Sequence, residues 1–368
     1  MIKATKYFSY STGSIPKGCK LCVQGKKLVL FITGICSRRC IYCPISDLKK
    51  NKDVVYANEW PVSKLQEVIA EAKLCRSAGA GITGGDPLAR LSRTLKAIKM
   101  LKKAFKDFHI HLYTPLTLVT EGKIKMLEKA GLDEIRFHPD LDDDKLWQKL
   151  SIKTRIPKGV EIPVVPGKEK QIKKLIDFLK DKVDFLNLNE LEISDTNSNK
   201  LSELGFRTKD NISYAIKGSD SLAKRLLKYC DKLGISTHYC TVKLKDAVQL
   251  VNRIKRRAKN VKKPYDRLTR ESTLIRGAIY LKDPSFGYVR WARTTKEKKK
   301  YLKKLGLLRL RLIKAYNIPK DMIEVEPVKL RLLTSAAIVR KIQAAKYFKY
   351  IVEDLPTYDQ FEIESEEI

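Results

Sequence analysis

The sequence predicts an α/β fold: a full or partial (β/α)6 barrel followed by a smaller basic α+β region. Three observations carry this expectation. Short apolar runs alternate with helix-period segments from about residue 27 to residue 240, and strands separated by helices pair in parallel because a parallel pair needs a crossover. The chain has 368 residues, enough to bury a large core and a second, smaller one. The alternation then stops at Lys262-Lys263-Pro264, where the composition turns strongly basic.

The elements follow in order. Residues 28–33 form an apolar, β-branched run and read as a buried strand. Residues 61–78 read as a helix, 80–83 as a short strand and 91–105 as a helix with apolar residues at helical spacing. Strands at 109–113, 134–137, 160–165 and 184–188 are separated by helices at 121–130 and 169–181. A helix at 219–233, a strand at 235–240 and a basic helix at 246–260 complete this part. Beyond it lie strand-like segments at 274–281 and 324–333, a Lys/Arg-rich helix at 297–316 and an acidic tail expected to be disordered in its last few residues. The division this suggests is an N-terminal extension over 1–26, a barrel over 27–263 and a basic domain over 264–368.

Five of the eight cysteines fall between positions 19 and 43. That is unlike the even spread of a secreted disulfide framework, and a reducing, cytoplasmic compartment is expected. The first residues lack an apolar signal core, and no run approaches about 18 apolar residues, so neither export nor membrane spanning is expected. The 75 Lys and Arg exceed the 42 Asp and Glu, giving a formal charge of +33. Residues 241–350 hold 31 of those cations against 8 acids. A basic half points to a polyanion, RNA first; Lys enrichment of the heat-adapted kind is the alternative, although Glu is not raised with it.

The most informative segment is Gly34-Ile35-Cys36-Ser37-Arg38-Arg39-Cys40-Ile41-Tyr42-Cys43-Pro44. A cubane iron-sulfur cluster takes four ligands, so a loop with three thiolates holds three irons and leaves the fourth open to a small molecule. A structural zinc loop is the competing reading, but zinc favours paired Cys-x2-Cys units and a fourth ligand. Cys-x3-Cys-x2-Cys at the end of one strand, with Gly84-Gly85-Asp86-Pro87 at the end of the next, resembles the radical S-adenosylmethionine superfamily over about residues 27–240. The chain looks most like an archaeal group related to pyruvate formate-lyase activating enzyme.

The resemblance implies a radical-SAM-type barrel in which Cys36, Cys40 and Cys43 hold a 4Fe-4S cluster and the open iron is chelated by S-adenosyl-L-methionine. It places Tyr42 by the adenine and Gly84, Gly85, Asp86 and Pro87 at the methionine ammonium. Asp86 stands where the family has Glu, keeping the charge and shortening the reach by one methylene. The 162–167 and 186–190 segments resemble the fifth and sixth barrel strands, whose ends line the ribose and adenine. Asn187 and Asn189 share one face there, with Glu190 at the exit. An external one-electron donor such as ferredoxin is implied.

Cys19 and Cys22 precede the first strand, and a turn at Gln24-Gly25-Lys26 predicts a hairpin that folds them back toward the cluster end. His238 and Cys240 lie at i and i+2 on one strand face. These four residues are a candidate second site for zinc or another cluster, against the reading that they are unrelated small side chains. Cys75 and Cys230 are expected to be buried thiols, and His109, His111 and His138 satisfied strand histidines. Cations with interleaved aromatics after residue 241, from Arg253 through Arg290-Trp291-Ala292-Arg293, favour RNA contact. Three functions are therefore weighed: a radical enzyme modifying RNA, an activating or side-chain-modifying enzyme acting on a protein, and a nucleic-acid-binding protein with a structural metal loop.

Overall fold

A computed structural model describes residues 1–343 and 346–368. The chain divides into two compact units between Arg253 and Ile254. That division falls inside a helix, ahead of the Lys262-Lys263-Pro264 break at which composition changes.

The first unit runs β1 (Lys3–Ala4), β2 (Tyr10–Thr12), α1 (Lys17–Val23), β3 (Lys27–Phe31), β4 (Tyr56–Ala57), β5 (Trp60–Pro61), α2 (Gln66–Leu74), β6 (Gly79–Thr83) and α3 (Leu91–Ala104). It continues with β7 (His109–Pro115), α4 (Glu121–Ala130), β8 (Glu134–His138), β9 (Lys158–Val164), α5 (Glu169–Leu179), β10 (Phe185–Glu190), α6 (Ser198–Glu203), α7 (Ser219–Lys232), β11 (Thr237–Cys240) and the single turn α8 (Val242–Leu244). Strands pair in the order β1-β2-β11-β10-β9-β8-β7-β6-β3-β4-β5. From β3 to β11 the neighbours are parallel, and antiparallel strands finish both edges. The two outermost strands do not pair with each other, so this is a partial barrel.

Period-two alternation sorts the strand residues. Leu28, Leu30, Ile82, Ile110, Leu112, Ile135, Phe137, Val160, Ile162, Leu186 and Leu188 are buried in one core with the helices. The helices answer with apolar stripes, as in α5, where Ile172, Leu175, Ile176 and Leu179 repeat at i, i+3, i+4 and i+7. Their ends are marked in the sequence: Thr120 accepts from the Lys123 amide at 3.3 Å, and Gly131 closes α4 at φ +95°.

The other strand face encloses a polar lumen. In register along it lie Lys27, Gly79 and His109, then Glu161, Asn187 and His238, then Pro163, Asn189 and Cys240. The hairpin expected around Cys19 and Cys22 is a helix instead: α1 packs at the strands' N-terminal ends, where the Gly18 amide donates to Glu134 Oε2 at 3.0 Å. A hairpin partner would have covered only an edge strand, whereas α1 closes the lumen itself. The predicted 61–78 helix shortens to α2, preceded by the narrow β4–β5 ribbon.

The second unit comprises α9 (Val251–Val261, from Ile254 onward), β12 (Arg267–Leu268), β13 (Leu274–Tyr280), α10 (Tyr288–Thr294), α11 (Lys298–Tyr316), β14 (Ile323–Glu326), β15 (Arg331–Thr334), α12 (Ala336–Lys341), β16 (Phe348–Asp354) and β17 (Glu362–Glu367). Its sheet is antiparallel in the order β14-β15-β13-β16-β17, with β12 on β13. Two expectations change here. The 324–333 segment is a hairpin, because Leu330 at φ +49° turns the chain. The acidic tail is ordered as β17 against β16, whose pairing supplies hydrogen bonds that its composition could not suggest.

Part of the basic excess is structural. Arg331 is fully buried, 2.5 Å from Asp354 and 3.1 Å from the Tyr280 hydroxyl, and Lys329 and Arg276 join the same acids with Asp266. Arg331→Ala leaves buried carboxylates uncompensated and should cost about 3–5 kcal/mol, seen as a lower midpoint in urea unfolding of the full chain.

Candidate active site at the C-terminal mouth of the barrel

The loop after β3 carries Cys36, Cys40 and Cys43, which lie free and half-buried. The Arg38 amide donates to Cys36 Sγ at 3.4 Å, and a turn joins the Cys43 amide to the Cys40 carbonyl at 3.2 Å. Burial pushes the Cys36 and Cys40 thiols up. The loop is fastened at three points. Arg38 donates to the His138 carbonyl and to Asp140, both at 2.8 Å; the Asn197 side chain donates to the Tyr42 carbonyl at 3.2 Å; and Asp53 accepts from Thr33, Arg90 and Arg93. Hydrogen bonds from both arginines hold the Asp53 carboxyl far below its usual range.

The Gly84-Gly85-Asp86-Pro87 turn lies directly against this loop. The Gly85 amide donates to the Thr33 carbonyl at 2.7 Å and the Asp86 amide to the Ile35 carbonyl at 2.8 Å. Gly84 sits at φ +144°, and a Cβ on either glycine would overlap a backbone oxygen of Thr33 or Ile35. Asp86 is fully buried; its Oδ1 accepts from Thr114 Oγ1 at 2.8 Å and the Leu88 amide at 3.0 Å, while its Oδ2 has no partner among the described residues. Burial raises this carboxyl. A buried, half-satisfied carboxylate beside a cysteine loop fits a ligand that brings a cation, such as an amino acid ammonium.

Tyr42 turns its hydroxyl to His138 Nε2 at 3.0 Å, and His138 Nδ1 donates to the Glu161 carbonyl at 2.7 Å. Burial, with Arg38 nearby, pulls His138 down to about 4, so the ring is neutral and accepts from Tyr42. Tyr42 also lines a cleft of about 710 Å³, where Val165, Pro166, Leu204 and Phe206 offer apolar surface suited to a flat ring and Arg38, Asp140 and Lys168 add charge. Glu190, at the strand exit as expected, accepts the Val242 amide at 2.8 Å and acts as a cap.

Asn187 and Asn189 are in place on β10 but already engaged. Their amides donate to the two oxygens of Glu161, each at 2.9 Å, and Arg136 reaches the same carboxylate at 2.7 Å. Burial raises Glu161, but Arg136 and the amides outweigh it and hold the group ionised. Only Asn189 lies toward the mouth; Asn187 is one step deeper, against Cys19 Sγ at 3.5 Å.

Of the four residues expected as a second metal site, Cys240 has its thiol raised by burial and further by Cys19 and Cys22, which lie close to it, and Cys19, His238 and Cys240 each have a protein partner. Cys19 is held by Asn187 and by the Arg136 guanidinium at 3.4 Å, His238 contacts Ser9 at 3.3 Å, and Cys240 accepts from Gln249 at 3.8 Å. Burial pushes the Cys19 thiol up to about 12, and a permanent cation against the sulfur opposes a metal ion there. Among the described residues no three His, Cys, Asp or Glu side chains converge on one ion. The Cys36 loop gives the same result, because a cubane takes each thiolate at a separate iron, so this geometry bears on a single ion and not on a second cluster.

Arg136, Glu161, Thr114 and Asn197 were missed from sequence. For Arg136 and Glu161 the signal was a charged residue in phase on strands that must be buried, as in Glu134-Ile135-Arg136-Phe137-His138, whereas Thr114 falls on the apolar face of β7 and Asn197 in a loop, where no such pattern marks them. Lys27 likewise donates to the His109 carbonyl at 2.6 Å and faces His109 Nδ1 at 3.1 Å. Burial lowers its amine to about 7.

A parallel partial barrel with a three-thiolate loop and a glycine-rich turn at its C-terminal mouth defines a protein that holds a cluster with one open corner. Residues 30–188 match the radical SAM superfamily. A protein of Methanocaldococcus jannaschii, whose provisional name is glycyl-radical enzyme activating enzyme, is 46% identical over 285 residues, covering 74% of this chain and 76% of that protein. The chain belongs to the radical SAM superfamily and is an enzyme that uses a 4Fe-4S cluster and S-adenosylmethionine. A biotin synthase of Alkalilimnicola ehrlichii is 27% identical over 127 residues, 33% of this chain and 36% of that one. The solved methyltransferase TsrM of Kitasatospora setae aligns at a TM-score of 0.37 and 14% identity over 54% of this chain and 43% of its own.

Cys36, Cys40 and Cys43 fit the cluster, and Asp86 with the carbonyls of its turn fits the cofactor's ammonium. Held there, the cluster and cofactor would supply one-electron chemistry at a sulfonium and hydrogen abstraction from a substrate. The chain fixes the loop, offers the unpaired carboxylate and closes the lumen behind it. Among the described residues no helix is long and apolar enough to cross a membrane.

Gly85→Ala would drive a methyl group into the Ile35 carbonyl beside Cys36; iron bound after anaerobic reconstitution should fall well below wild type while the apo protein keeps its circular dichroism. All four histidines face the lumen, and burial lowers His109, His138 and His238 to about 4. The unfolded chain then binds more protons between about pH 4 and about pH 6.5, so stability rises with pH across that window. The apo protein's melting temperature should climb by several degrees over it, and a flat profile would contradict buried neutral rings.

Proposed function

We propose that this chain is an activating or side-chain-modifying enzyme whose substrate is a protein. The observation that carries this reading is the 46% identity, over three quarters of both chains, to the relative named as a glycyl-radical enzyme activating enzyme. The site is compatible with it. α1 and the Arg136 network close the lumen from the N-terminal side, so a substrate hydrogen must arrive through the mouth. The RNA reading loses support from the second unit, where Arg276, Lys329 and Arg331 serve internal carboxylates. A one-electron donor is part of the same proposal, as is a cytoplasmic location.

The test is anaerobic reconstitution with dithionite and S-adenosylmethionine, measuring 5′-deoxyadenosine with and without extract from the source cells. Protein-directed chemistry predicts stimulation of at least several fold that is lost when the extract is treated with protease and kept when it is treated with ribonuclease. The reverse pattern would restore RNA as the substrate.

A further inference from the structure

Two neighbouring cavities on the outside of the barrel form a continuous groove along α3. One, of about 830 Å³, is bounded by the Asp53–Tyr56 segment and by Arg90, Leu91, Ser92 and Arg93. The other, of about 710 Å³, has a floor of Leu91, Leu95, Met100 and Met126. They share Leu91, Ser92 and Lys96. The rim is cationic: Lys96, Lys99 and Lys103 stand at i, i+3 and i+7, exposed on one helix face and without an ion pair among the described residues. α3 contains no Asp or Glu, and the one acid lining either cavity, Asp53, is already bound by two arginines. A helix with free lysines and an apolar floor lacks the internal pairing usual for a solvated charged face.

This helix is tied to the cluster loop at its first turn. Arg90 and Arg93 grip Asp53 near the end of that loop, Arg93 also donates to the Ile32 carbonyl at 2.9 Å, and Thr94 Oγ1 donates to the Pro87 carbonyl at 2.8 Å. The groove therefore starts behind the loop that carries Cys36, Cys40 and Cys43 and runs away from the mouth through which substrate must enter.

We propose that the α3 groove is the docking surface for an acidic protein that delivers one electron to the cluster. The proposal rests on membership of the radical SAM superfamily and is independent of whether the substrate is protein or RNA. The donor loses one electron and the cluster gains it; no atom is transferred. Lysines around an apolar floor suit a carboxylate-rimmed protein surface, steering its approach while the floor excludes water. RNA is disfavoured because the aromatic that lines the groove, Tyr56, already packs edge-on against Phe31 and under Lys49 rather than standing free to stack a base.

The test uses the reconstituted holoprotein, with an acidic bacterial ferredoxin and a flavodoxin as probes and dithionite as a small-molecule control. Two readouts are taken: binding of each oxidised probe at low and moderate salt, and the rate of cluster bleaching by each reduced probe. The triple variant K96E/K99E/K103E should bind at least tenfold more weakly and be reduced by the proteins at least tenfold more slowly, with the wild-type salt dependence flattened. Its reduction by dithionite, and the uncoupled cofactor cleavage that follows, should match wild type. Unchanged binding and reduction by both probes, or no binding of either probe to wild type, overturns the proposal. If dithionite reduction also fails, the triple Lys→Gln variant is measured; failure there too means that these lysines support the loop, and the proposal is wrong. Tight binding of a tRNA that the charge reversal abolishes, with reduction by both proteins intact, would assign the groove to nucleic acid instead.

Discussion

A guanidinium buried in the lumen organises this barrel. Arg136 contacts Glu134, Glu161, the Tyr113 hydroxyl and Cys19, and through them α1, β7, β8 and β9 are held at fixed spacing; Glu161 passes the constraint to β10 through Asn187 and Asn189. Placing one charge there without its two carboxylates would be prohibitive, and placing either carboxylate there alone would be nearly as costly. The three ions are therefore interdependent. Unlike a barrel filled with branched aliphatics, this interior has directional contacts that fix rotation as well as distance, which suits a site whose mouth must present specific atoms.

In that interior, where His111 Nδ1 and His238 Nδ1 also lack partners among the described residues, Asp86 is the carboxylate left half-satisfied. Its neighbours satisfy one oxygen and leave the other, so the folded chain carries a local deficit that only an incoming donor removes. The deficit sits where the Gly84-Gly85 backbone is pressed against the Thr33–Ile35 backbone, so that a ligand taken by the turn is necessarily beside the cysteine loop. Shortening Glu to Asp, noted from sequence, is compatible with this arrangement because Thr114 and the Leu88 amide draw the carboxylate into the turn rather than outward.

The parallel sheet and the three-cysteine loop were legible because each rests on a local pattern: apolar runs of strand length, helical stripes, and thiols at short spacing. The glycine-rich turn was legible for the same reason. What failed depended on contacts distant in sequence. Cys19 and Cys22 were read as hairpin residues because Gln24-Gly25-Lys26 is a good turn, yet seven residues ahead of a strand form a helix when the open end of a barrel needs a cover. His238 and Cys240 do share a strand face, as the i, i+2 spacing requires, but their neighbours Arg136, Asn187 and Ser9 come from two other strands and a loop, which the spacing alone does not show. The tail at 362–367 looked disordered because four of its six residues are acids that repel one another; pairing with β16 supplies the backbone hydrogen bonds that hold it as a strand.

Charge is where sequence counting and structure diverge most usefully. The notable excess after residue 241 is not uniformly available to a partner, since some of its cations neutralise buried acids within the second unit. The α3 lysines, by contrast, belong to the part of the chain with the smaller net charge, although α3 itself has five cations and no acid, and they escaped notice. For a partner in solution the field of unpaired cations matters more than the total, because a cation already hydrogen-bonded to a carboxylate contributes little potential beyond a few ångströms. By that criterion a short helix with three free lysines beside the cluster loop is a better candidate for charge-guided association than a longer segment whose charges are partly spent internally.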